Sequence, residues 1–203
     1  MREEPVLRRC MQGLVLLDLV FVQMTEVASP AWLRPLYLLT LAAPWLAPLR
    51  DRRTYRVAWN LVVIGFFGVL LTHALEAQLA SVLADGLILA ALCQVHLLNN
   101  LRSSQRPDLL FFHAFLIAII TGFMGQGAGF VLVFLFFAPL FVIGLQLMSA
   151  TRQTGVSLPT RLLVRDGIRR SAWLLVLSLG VFLFWPRDFQ RKAFLAGRID
   201  LSG

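Results

Sequence analysis

Apolar residues run through this chain in blocks of roughly 18–25, apolar all round rather than striped, and short polar links divide them. At 1.5 Å per helical residue, such a block crosses a hydrocarbon layer of about 30 Å. Seven blocks are expected as helical spans: Arg9–Val27, Ala31–Leu49, Tyr55–Leu75, Leu79–Leu101, Leu109–Met124, Gly127–Met148 and a shorter one, Ser171–Trp185. The second carries Pro35, Pro44 and Pro48 and is expected to kink. The fold class predicted is therefore all-α: a polytopic transmembrane bundle over residues 1–185, followed by a tail, 186–203.

The links alternate in arginine content. The N-terminus carries Arg2, Arg8 and Arg9; Arg50, Arg52, Arg53 and Arg56 follow the second block, and Arg102 and Arg106 follow the fourth. The stretch from Thr151 to Arg170 adds five more arginines, whereas the links HALEAQ and MGQGAG have none. Cytoplasmic loops of membrane proteins collect Lys and Arg. The expected orientation puts the N-terminus in the cytoplasm of an inner membrane. Seven crossings then bring the C-terminal tail out on the extracytoplasmic face.

One polar stretch departs from the loop pattern. In SLPTRLLVRDGIRR, Arg161, Arg165 and Arg169 recur every four residues, Arg170 follows, and the leucines fall on another side. Ser157 is a fitting N-cap with Pro159 in the first turn. A basic amphipathic helix lying at the cytoplasmic interface is expected.

Composition agrees with a membrane protein: 58% hydrophobic, 15% charged, mean hydropathy +0.75. The net charge of +8 does not argue for nucleic acid, because the arginines sit in links rather than along one face. Cys10 and Cys93 lie in separate predicted helices, so neither a disulfide framework nor a metal site is expected. The first residues resemble a secretory signal, but Asp18 interrupts the apolar stretch and Pro30 follows the candidate cleavage point at Ser29. A retained first helix is expected.

Ionisable and amide side chains inside spans are the candidate functional residues. Asp18 falls about 13 Å into the first helix; it either carries protons or hydrogen-bonds a neighbouring helix. Asp85, near the outer end of the fourth span, is placed to meet His73 or Glu76 at the outer end of the third. His96, Asn99 and Asn100 crowd the inner end of the fourth span, where interhelical hydrogen bonding is the first expectation. His113 has no second ligand at helical spacing, so no metal is expected. The chain has no HExxH, no GxSxG and no Cys-His-acid set, so no catalytic residue and no cofactor is assigned.

From Leu79 onward the order of motifs is recognisable. The stretch LLNNLRSSQRPDLL precedes an apolar helix, then come the turn GFMGQGAGF, another apolar helix, a basic segment ending GIRRSAWLL, and a last span closing in FLFWPRDF before GRIDLSG. This resembles the N-terminal membrane region of bacterial transglutaminase-like membrane proteins of the TgpA type. The resemblance implies a helical membrane module that carries a papain-like transglutaminase core on the outer face. Asn99 and Asn100 stand where that family commonly has charged residues. The family's Cys-His-Asp chemistry maps to no residue of this chain. The expected function is a non-catalytic anchor or scaffold for a catalytic domain or separately encoded partner. The alternative is a small proton-coupled transporter using Asp18, Asp85 and His113.

Overall fold

The computed structural model describes residues 4–26, 28–76, 79–101, 107–124, 128–152 and 160–184. Among them every regular element is helical: α1 Glu4–Met24, α2 Pro30–Leu46 with a 3₁₀ turn at Ala47–Leu49, α3 Arg53–Glu76, α4 Leu79–Asn100, α5 Asp108–Met124, α6 Ala128–Arg152 and α7 Thr160–Phe184. The links are at most seven residues. Chain of that length cannot return along helices of about 25–37 Å, so successive helices alternate in direction. Two of them, α3 and α6, are long and apolar enough to cross a membrane by length and composition.

The first helix is the centre of the bundle. It packs against α2, α4, α5 and α6, while α3 leans on α4 and α7 on α6. The reason lies in its spacing: Leu7, Met11, Leu14, Asp18 and Phe21 are buried, joined by Cys10, Val15, Leu19 and Val22 one step around. Two buried positions in each turn make a face wide enough for several partners. Phe21 seals the contact with α6, its ring centroid 4.6 Å from Phe130 and 5.5 Å from Phe137.

The outward surface is the apolar one. Trp32, Leu38 and Trp45 on α2, Leu61, Ile64 and Phe67 on α3, Phe112 on α5, Phe136 on α6 and Val176 on α7 are all exposed. Several polar side chains face the other way: Asp18, Thr40, Gln94, Asn99 and Thr121 have no exposed surface.

One expectation about the last two elements is corrected. The basic segment and the seventh span form a single continuous helix, α7, of 25 residues. Nothing at the junction breaks it. Gly167 presses on α6, where an added Cβ would lie 2.7 Å from Ile143 Cγ1. Ser171 Oγ donates to the Gly167 carbonyl at 2.7 Å, and Arg170 pairs with Asp166 one turn back at 2.8 Å. The expected cap at Ser157 and Pro159 lies outside the described residues.

Candidate functional site

The polar interior forms a seam where α1, α2 and α4 meet. Its middle is Asp18 on α1, whose Oδ2 accepts a hydrogen bond from Gln94 Nε2 on α4 at 2.5 Å. Both residues are fully buried, and Asp18 Oδ1 and Gln94 Oε1 make no hydrogen bond. Toward the arginine-rich end, Gln12 Nε2 donates to the Thr40 carbonyl of α2 at 3.0 Å. Toward the other end, at the exposed rim of the seam, Tyr37 of α2 donates its hydroxyl to Gln23 Oε1 at 2.9 Å. Polar side chains in an apolar surround reach for one another across helices, so each of these contacts sets register between neighbours.

Asn99 and Asn100, at the end of α4, take different partners. Asn99 Nδ2 donates to its own helix at Val95 O, 3.0 Å, and reaches Leu39 O of α2 at 3.4 Å. Asn100 Nδ2 donates to the His96 carbonyl at 2.9 Å and lies 3.1 Å from His96 Nδ1. The His96 ring meets Trp59 of α3 edge-on at 5.8 Å. Asn99 thus ties α4 to α2 and His96 ties it to α3, while Asn100 bonds only within α4.

Of the remaining sequence candidates, Asp85, His113 and the four arginines of the basic segment lie on three different helices. Asp85 is half-buried on α4, nine residues or about 13 Å along the helix from Gln94. His73 and Glu76 belong to α3, but their side chains lie outside the described residues. His113 is half-buried on α5. Arg161, Arg165, Arg169 and Arg170 are exposed on α7, and Asp166 beside them also accepts from Gln146 of α6 at 3.4 Å. Among the described residues no three His, Cys, Asp or Glu side chains come together as a metal site. Cys10 and Cys93 are free thiols on different helices.

Four residues of the seam, Gln12, Gln23, Tyr37 and Gln94, are not among the sequence candidates. The signal for Gln94 existed: Leu87, Ala91 and Leu98 are buried at helical spacing, and Gln94 completes that stripe.

Two cavities lie in the bundle, one of them apart from the seam. One, of about 590 Å³, opens between α5, α6 and α7 and is walled by Phe115, Phe134, Phe137 and Phe141 with Gly122 and Ala138. The other, of about 360 Å³, lies at the arginine-rich end between α1, α2 and α4. Neither is lined by Asp18, Asp85 or His113, so the three residues of the transport alternative share neither space.

No protein family matches this chain, and no curated protein or solved structure matches it.

Proposed function

We propose that the chain is a multi-pass anchor of a bacterial inner membrane, holding a transglutaminase-like domain or a separately encoded partner at the outer face. The observation that carries the reading is the inverted distribution of side chains. Apolar residues as large as Trp45, at 78% exposed, cover the outside while Asp18 and Gln94 are sealed within. Water does not tolerate an apolar surface of that extent on a soluble monomer, whereas lipid does.

Orientation follows from charge. Arg8 and Arg9 on α1, Arg50 after α2, Arg53 and Arg56 on α3, and Arg161 and Arg165 on α7 belong to one end of alternating helices. By the bias of cytoplasmic loops toward arginine, that end is the inner one. Helices such as α1, too polar to count as spans alone, cross as members of the bundle with their polar groups turned to neighbours. The anchoring role, the transglutaminase-like partner and its position outside rest on the resemblance in motif order from Leu79. Alkaline phosphatase, which folds only outside the cytoplasm, should be active when fused after Gly203. Green fluorescent protein at the same point should stay dark. The reverse pattern removes the anchor from the face that the reading requires.

A further inference from the structure

The cavity at the arginine-rich end has walls of two kinds. Pro44 and Leu98 are apolar, whereas Arg8, Arg9 and Arg50 are basic. Arg50 is the unusual member, only 7% exposed. Its Nη2 donates to the Ala43 carbonyl at 3.0 Å, which the 3₁₀ turn has left without its helical donor. Its Nε is buried without a hydrogen-bond partner. Burial, and then the neighbouring charge of Arg8, push the Arg50 guanidinium below its ordinary value. An arginine nonetheless stays charged in a protein, and a buried charge is retained where something answers it.

Arg8 and Arg9 both belong to α1 and line the same cavity as Arg50. Three like charges beside apolar walls, at the end of a helical bundle, form the setting in which the phosphate of an anionic lipid is held between helices.

We propose that this cavity binds a phosphate group, with Arg50 as the buried contact and Arg8 and Arg9 closing over it. A phospholipid headgroup is the source that the lining fits best, since Leu98 and Pro44 offer the glycerol and upper acyl chain an apolar wall. The site rests on the membrane reading above, and in that orientation it opens to the inner leaflet.

The test uses the full chain in micelles of a neutral detergent, with lipid retention read by native mass spectrometry. Dioleoyl phosphatidylglycerol should be held about tenfold more tightly than dioleoyl phosphatidylcholine, the scale of one charged hydrogen bond. Arg50→Gln should erase that preference. Because Arg50 also serves the end of α2, Arg8→Gln is the companion variant, expected to weaken the preference at an unchanged melting temperature. If inorganic phosphate displaces the lipid, the site is a free-phosphate site; if it does not, the lipid is the ligand. Equal retention of the two lipids, or a preference untouched in both variants, overturns the site. An alkaline wash of membranes from the same cells separates the two readings. A chain that stays in the pellet leaves the anchor standing without the site, and a chain released by the wash removes the membrane reading first.

Discussion

Gln12 repairs a gap that Pro44 opens in another helix. In an unbroken α2 the carbonyl of Thr40 would accept from the amide of residue 44, which proline lacks. The side-chain amide of Gln12 supplies the missing donor at 3.0 Å and also reaches Leu41 O at 3.4 Å. Gln12→Ala should therefore destabilise the bundle by about 1 kcal/mol, the usual scale of such a bond between membrane helices. The loss should shrink when Pro44→Ala restores the backbone donor. Unfolding in mixed micelles, arranged as a double-mutant cycle, reads the coupling directly. Additive effects of the two changes would mean that the bond and the proline are unrelated.

Asp18 and Gln94 should show the asymmetry of a buried pair. Gln94→Leu strands the carboxyl in an apolar surround and should cost about 1–3 kcal/mol. Replacing both residues with leucine removes the need for a partner and should recover most of that loss. Asp18→Asn keeps an acceptor for Gln94 Nε2 and should be milder than Asp18→Leu. The same variants decide against or for the transport alternative. Under the anchoring role, proteoliposomes containing the protein pass protons no faster than empty ones. A flux abolished by Asp18→Asn would transfer the pair from packing to transport.

The helices were legible because length and apolarity set them. Expected spans such as Leu79–Leu101 and Leu109–Met124 fall within a residue of α4 and α5 at each end. What was illegible depends on neighbours. Asp18 stood out as a charge in an apolar run, but its partner Gln94 lies 76 positions away, and nothing local announces which helices will touch. Arg50 reads as one arginine among four in a basic link, yet it alone of these is buried, because the 3₁₀ turn of Ala47–Leu49 carries it back over α2. The junction at Arg170 and Ser171 suggests a boundary in sequence because polarity changes there. Helices end at caps and breakers, not at changes of polarity, and no such breaker is present.

Gly144 of α6 lies directly against Phe111 of α5. A Cβ at this position would stand 2.5 Å from Phe111 Cε1 and 2.7 Å from Cζ, and Phe111 is itself only 2% exposed. The ring has no room to withdraw. Gly144→Ala should therefore destabilise by about 1–3 kcal/mol despite alanine's better helix propensity. Adding Phe111→Leu should return part of the loss by opening space for the methyl. A stabilised Gly144→Ala protein would show that the two helices stand further apart than described.

Glu26 has φ of 56°, the left-handed region, and no other non-glycine among the described residues does so. The conformation follows from how α1 ends: Thr25 N bonds Val22 O at 3.3 Å and Glu26 N bonds Gln23 O at 3.2 Å, tightening the last turn before the chain swings toward α2. Helices commonly close this way with glycine, which escapes the clash between Cβ and the backbone. A left-handed L-residue costs about 1–2 kcal/mol, and a glycine gives back about 0.5–1 kcal/mol through its freer unfolded chain. Glu26→Gly should consequently stabilise the bundle by about 0.5–1 kcal/mol. Glu26→Val, β-branched at the same exposed position, should act in the opposite direction. Because neither change touches the core, the two melting temperatures measured in one detergent isolate the backbone. Shifts of the same sign would place Glu26 back in the right-handed region and lengthen α1 past Met24.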